Sequence, residues 1–133
     1  MRILKIDHVG VAVKSAAESA RLFSDALGLE TEEEILNDRN LKIVMAKVGE
    51  SRVELLEDLD ANGTIAKFVE KHGEGLHHIA FEVDDVNEAA KKMKENGYRV
   101  LSEPQPGAGG TVVAFVHPKD THGVLLELVE RRK

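Results

Sequence analysis

Four residues stand out for the chemistry they can do together. Two are histidines, His8 and His78, 70 residues apart, and two are glutamates, Glu54 and Glu127, 73 residues apart. Each His lies in a short apolar run, Ile6-Asp7-His8-Val9-Gly10-Val11-Ala12-Val13 and His77-His78-Ile79-Ala80-Phe81-Glu82-Val83. Each Glu lies in another, Arg52-Val53-Glu54-Leu55-Leu56 and Val124-Leu125-Leu126-Glu127-Leu128-Val129. A carboxylate in an apolar strand is costly to bury unless it has a partner. Two imidazoles and two carboxylates suit a divalent first-row cation such as Co, Mn, Ni, Zn or Fe, with positions left open for water. Duplication of one structural His and one structural Glu would produce the same spacing, but it leaves four polar strand residues without a task.

The near-equal offsets mark an internal repeat, and the elements around the four residues repeat with them. Ser15-Ala16-Ala17-Glu18 and Asp85-Val86-Asn87-Glu88 both read as capping boxes. Ala16, Ala20, Phe23 and Leu27 then form one helical face, which Gly28 ends; Val86, Ala89, Ala90 and Met93 form the other, which Gly97 ends. Strands are expected at about 5–13, 30–36, 41–48 and 52–57, and again at about 76–83, 98–103, 111–117 and 124–130. Asn62-Gly63 opens a connector helix with Ile65, Phe68 and Val69 on one side, and His72-Gly73 closes it. The expected fold is α+β, one domain over residues 1–133: module 1 about 1–57, connector about 58–75, module 2 about 76–133. Two tandem βαβββ modules would form a curved, partly closed mixed β-sheet.

Strand alternation sorts the candidate residues. Val9, Val11 and Val13 face the first helix, while His8, Gly10 and Ala12 share the other side. Ile79, Phe81 and Val83 face the second helix, with His78, Ala80 and Glu82 opposite. Each half thus presents one imidazole among small neighbours, and pairing of the halves about a pseudo-twofold axis would bring the four residues together. His77 should face away from His78 and be structural. His117 and His122 flank the turn His117-Pro118-Lys119-Asp120-Thr121-His122-Gly123 and read as surface or rim residues; His72 should serve the carbonyls at its helix end. Glu32-Glu33-Glu34 reads as a solvated strand edge. In the loop Pro104-Gln105-Pro106-Gly107-Ala108-Gly109-Gly110, the amides of Gly107, Gly109 and Gly110 are candidate phosphate ligands, without P-loop spacing. Arg2, Arg21, Arg39 and Arg52, the arginines of the first half, have no evident pocket role.

Composition removes several classes of function. The chain has 133 residues, 42% hydrophobic and 32% charged, as expected of a globular domain. The absence of Cys excludes a disulfide scaffold, a thiolate zinc site and a cysteine nucleophile. A net charge of −6 opposes nucleic-acid binding, which depends on neutralising phosphates. No apolar run approaches the ~20 residues of a membrane span, and charges interrupt the N-terminal stretch, so the cytoplasm is the expected compartment. One Tyr, four Phe and no Trp are too few for an aromatic stacking platform.

Three stretches carry a resemblance: Ile6 to Val13, Gly75-Leu76-His77-His78-Ile79-Ala80-Phe81-Glu82-Val83-Asp84-Asp85, and His117-Pro118-Lys119-Asp120 with Gly123-Val124-Leu125-Leu126-Glu127-Leu128. The chain resembles the vicinal oxygen chelate (glyoxalase/bleomycin resistance/dioxygenase) superfamily over nearly its whole length, and within it the methylmalonyl-CoA epimerases. The resemblance implies a metal site in which His8, His78 and Glu127 match the ligands and Glu54 matches a position where some members carry Gln. It implies Co2+ foremost, with Mn2+, Ni2+ and Zn2+ also suited. It implies 1,1-proton transfer between (R)- and (S)-methylmalonyl-CoA, or a similar acyl-CoA, through a metal-stabilised enolate in a homodimer. Glu127 matches one proton-transfer base. The other family base is a Glu on the third strand, where this chain reads Asn40-Leu41-Lys42-Ile43-Val44-Met45, with no acid. Glu54 becomes the candidate for the opposite face, with a bound water as the alternative. Lys119 and the Gly107, Gly109 and Gly110 amides are candidates for the anionic CoA groups. Three other functions fit the same superfamily. A glyoxalase-type lactoylglutathione lyase uses the same ligands but wants an arginine set for glutathione. A ring-cleaving dioxygenase usually has two pairs of modules. A metal-free, drug-sequestering module would lack the ligand set and carry aromatics.

Overall fold

The elements follow one another as β1 (Ile3–Ala12), α1 (Ala16–Arg21), β2 (Thr31–Leu36), β3 (Leu41–Val48), β4 (Ser51–Asp58), α2 (Thr64–His72), β5 (Gly75–Val83), α3 (Val86–Glu95), β6 (Gln105–Pro106), β7 (Thr111–Val116) and β8 (Leu125–Arg131). This computed structural model describes residues 1–132; Lys133, the last residue of the expected second module, lies outside the described residues. The strands are ordered β2-β3-β4-β1 in one half of the repeat and β5-β8-β7-β6 in the other, each with parallel and antiparallel pairs. The chain divides into two compact units, residues 8–77 and residues 1–7 with 78–133, so the division falls within β1 and within β5.

In the unit of residues 8–77, β1 pairs with β4 in parallel, and β4 with β3 and β3 with β2 antiparallel. Helix α1 starts where Ser15 Oγ accepts from Glu18 N, and Glu57 Oε1 accepts from Ala16 N at 2.8 Å. Its inner side, Ala16 and Ala20, packs with Val13, Val44 and Leu55. Leu27 leaves this face and is 58% exposed, against expectation. After Arg21 the helix widens into a π-type turn over Leu22–Ala26, with Leu27 N donating to Leu22 O at 3.0 Å. The extra residue in that turn rotates Leu27 away from the core. The other sheet face is covered at one end by α2, where Ile65, Phe68 and Val69 meet Ala12, Leu56, Leu41 and Ile43. Glu32, Glu33 and Glu34 are exposed on the edge strand β2, as expected.

The unit of residues 1–7 and 78–133 repeats the plan. Asp85 Oδ1 accepts from Glu88 N, Glu130 Oε1 accepts from Val86 N at 2.9 Å, and Val86, Ala89 and Ala90 pack on Val83, Ala114, Val116 and Leu128. Strand β5 pairs with β8 in parallel and β8 with β7 antiparallel. The strand expected at 98–103 does not form. Val100 makes a single bridge to Val116, and pairing with β7 otherwise resumes only in the two-residue β6. Pro104, just past the expected strand, has no N–H for a ladder. Asp120 also accepts from Arg99 N at 2.9 Å and from its side chain at 3.0 Å, which turns the segment toward the β7–β8 connection.

Candidate active site

The two strand pairs place the candidate residues in matching positions. In the parallel β1–β4 register, Arg52 lies opposite His8 and Glu54 opposite Gly10. In the parallel β5–β8 register, Leu125 lies opposite His78 and Glu127 opposite Ala80. A period of two puts each His and its Glu on one face, with Gly10 or Ala80 leaving room beside the carboxylate. His8 Nε2 stands 3.8 Å from Glu54 Oε1, and His78 Nε2 stands 3.9 Å from Glu127 Oε1. All four side chains are only 10–13% exposed. His8 and Glu54 belong to the unit of residues 8–77, and His78 and Glu127 to the other, so each unit carries one imidazole–carboxylate couple.

The two imidazole–carboxylate separations, 3.8 and 3.9 Å, are informative. They are too long for hydrogen bonds between imidazole and carboxylate. They are shorter than about 4.2 Å, the largest distance between two ligands each ~2.1 Å from one ion. The donor types, imidazole nitrogen and carboxylate oxygen, suit the divalent cations expected from the sequence. Both the spacing and the chemistry therefore fit a metal ion. Arg52 adds a cation to the first couple, its Nη2 3.5 Å from Glu54 Oε2. Strand alternation puts Arg52, Glu54 and Leu56 on one face, a signal present in the sequence although Arg52 has no evident pocket role there. Arg52 also lines a cavity of about 320 Å³ with Glu30, Thr31, Glu32, Met45 and Lys47.

The other sequence candidates fall elsewhere. His77 faces away from His78 and is half-buried, its ring edge-on to Phe68 of α2 at 5.0 Å; burial lowers its pKa below the usual 6.5. His72 stacks at a tilt on the same Phe68, 4.9 Å away. His117 Nδ1 accepts from Lys119 N, capping the turn Pro118–Asp120, and the Lys119 side chain is exposed. His122 is exposed at a backbone φ of 60°. Gly107 N donates to Thr111 O at 2.9 Å, so that amide belongs to the β6–β7 hairpin. Gly109 and Gly110 lie at positive φ, 65° and 76°, in the same turn. Met45, not an acid, is the β3 residue opposite Glu54, and Ile43 packs under α2. Asp7, which no motif or repeat distinguishes in the sequence, is buried and accepts from Arg131 Nη2 at 2.7 Å.

The chain is similar to known proteins over almost its whole length. The ethylmalonyl-CoA/methylmalonyl-CoA epimerase of Cereibacter sphaeroides is 37% identical over 130 residues, covering 93% of this chain and 96% of that protein. The structure of Streptomyces coelicolor methylmalonyl-CoA epimerase in complex with 2-nitronate-propionyl-CoA superposes with a TM-score of 0.86 at 34% identity, covering 98% of this chain and 96% of that one. The Mycobacterium tuberculosis methylmalonyl-CoA epimerase gives a TM-score of 0.86 at 32% identity, covering 98% and 90%. The family defined as Glyoxalase/Bleomycin resistance protein/Dioxygenase superfamily matches residues 7–115. On the repeated architecture, the matched His and Glu positions and these similarities together, the chain belongs to the glyoxalase/bleomycin resistance protein/dioxygenase superfamily.

Proposed function

We propose that this chain is a metal-dependent epimerase that interconverts (R)- and (S)-methylmalonyl-CoA by 1,1-proton transfer. The observation that carries the proposal is the repeated imidazole–carboxylate couple, with Nε2–Oε1 separations of 3.8 and 3.9 Å at equivalent strand positions. The similarity to epimerases across almost the whole chain supports the choice of reaction. His8, His78 and Glu127, with Glu54, would hold a divalent ion, Co2+ first and Mn2+, Ni2+ or Zn2+ as alternatives. Such an ion supplies Lewis-acid stabilisation of the negative charge that develops on substrate oxygen, worth several kcal/mol.

The reaction breaks one C–H bond at the carbon between the thioester and the free carboxylate. The electron pair delocalises onto the thioester oxygen as an enolate, and a proton returns to the opposite face of the same carbon. Nothing is oxidised or reduced. Glu127 and Glu54 are assigned to the two faces, each taking or giving the proton at a carboxylate oxygen. A positioned base contributes about 10²–10⁴ in rate. Lys119, exposed on its turn, and the amides of Gly109 and Gly110 are assigned to the anionic groups of CoA. The proposal includes a cytoplasmic homodimer; separately, no helix among the described residues is long and apolar enough to cross a membrane.

The test is epimerisation in D2O with metal analysis of the purified protein. Glu54→Gln and Glu127→Gln should each lower epimerisation by about 10²-fold or more while leaving deuterium exchange into one epimer. Wild-type rates in both variants would remove the assigned roles. Turnover of a glutathione hemithioacetal in place of methylmalonyl-CoA would move the chain to the lactoylglutathione lyases.

A further inference from the structure

The cavity of about 320 Å³ has no task in the reaction as described, and its charges are sorted. The acids, Glu32 in β2 and Glu30 just before it, come from the edge of the sheet, whereas the cations, Lys47 and Arg52, come from β3 and β4. Lys47 and Arg52 are direct partners in the β3–β4 register, and Arg52 is the partner of His8 in the β1–β4 register. The cations therefore lie on the side toward the His8–Glu54 couple. The repeat does not call for a charge here, because the residue opposite His78 is Leu125. A guanidinium that is 31% exposed, in a chain of net charge −6, presents a planar fork shaped for a carboxylate or phosphate.

We infer that Arg52, backed by Lys47, receives the free carboxylate of a malonyl-type acyl thioester, so that this cavity selects dicarboxylic over monocarboxylic acyl groups; the inference rests on the epimerase function proposed above. Position separates the two anions that a CoA ester offers. Arg52 lies 3.5 Å from Glu54, the assigned base, so an anion paired with it would sit beside the reacting carbon. The phosphates are held away from that carbon by the length of the pantetheine arm. A carboxylate here also distinguishes the two substituents of the reacting carbon before proton transfer, which is what an epimerase must do.

Calorimetric binding of methylmalonyl-CoA, propionyl-CoA and free CoA to the metal-loaded protein tests this. Wild type should prefer methylmalonyl-CoA. Arg52→Met should weaken methylmalonyl-CoA by roughly tenfold to a hundredfold and the other two by less than about twofold. Lys47→Met should lose affinity in the same direction by less, and Arg52→Lys should recover part of the preference; these two carry the test if Arg52→Met does not fold. Equal weakening of all three ligands would assign Arg52 to the phosphates or to the scaffold, and an unchanged preference would remove it from recognition; either overturns the inference and leaves the epimerase proposal standing. A wild type that binds methylmalonyl-CoA no better than free CoA would overturn both.

Discussion

Replacing Asp7 by Asn probes how the strand that carries His8 is anchored. Asp7 is 3% exposed, and its Oδ1 accepts from Arg131 Nη2 at 2.7 Å and Nε at 3.1 Å. Removing one partner of a fully buried ion pair costs about 3–5 kcal/mol. Arg131 is 40% exposed and keeps Glu82 Oε1 at 3.7 Å, so water and the second carboxylate recover part of that loss. The expected cost is about 2 kcal/mol. At roughly 2.1 cal/mol/K per residue over 133 residues, this lowers Tm by about 7 °C. Urea and thermal unfolding of wild type, Asp7→Asn, Arg131→Met and the double variant form the cycle, with an expected coupling of about 1–2 kcal/mol. A coupling below about 0.5 kcal/mol would show that burial of Asp7, and not its pairing with Arg131, accounts for its place in the fold.

Gly107→Ala should destabilise by about 1–3 kcal/mol, because the new Cβ would stand 2.6 Å from Thr111 Oγ1 and 2.8 Å from Val113 Cγ1; an unchanged urea midpoint would mean that the hairpin shifts freely. His77 has its pKa lowered by burial, so the unfolded chain binds more protons as pH falls through 6.5. Its contribution is present above the unfolded value and is lost on acidification, so the drop in urea midpoint from pH 7.5 toward 5.5 should shrink in His77→Phe; an identical slope would refute this. A chelator should lower Tm, and Co2+ at about a hundredfold over Kd should restore about 2.7 kcal/mol, near 10 °C. His8→Ala should abolish that increment, and a wild-type Tm indifferent to Co2+ would end the metal proposal.

The sequence alone determined the features that depend on neighbours along the chain. The caps Ser15 and Asp85, the inner helix residues Ala16, Ala20, Val86, Ala89 and Ala90, and the separation of His78 from His77 follow from local turns and periods of 3.6 and 2. The repeat carried this further, since a second copy of each strand–helix pattern identified His8 and Glu54 as counterparts of His78 and Glu127. Tertiary structure decided what depends on partners distant in sequence. Arg52 gained its place beside Glu54 and the cavity once β2, β3 and β4 lay in register. Asp7 acquired Arg131 from the other end of the chain. Leu27 left its expected face when the helix widened after Arg21, and the expected strand at 98–103 gave way to Pro104 and the pull of Asp120 on Arg99. Alternation and capping are written into consecutive residues, whereas register, cavities and long-range ion pairs come into being only when separate strands meet.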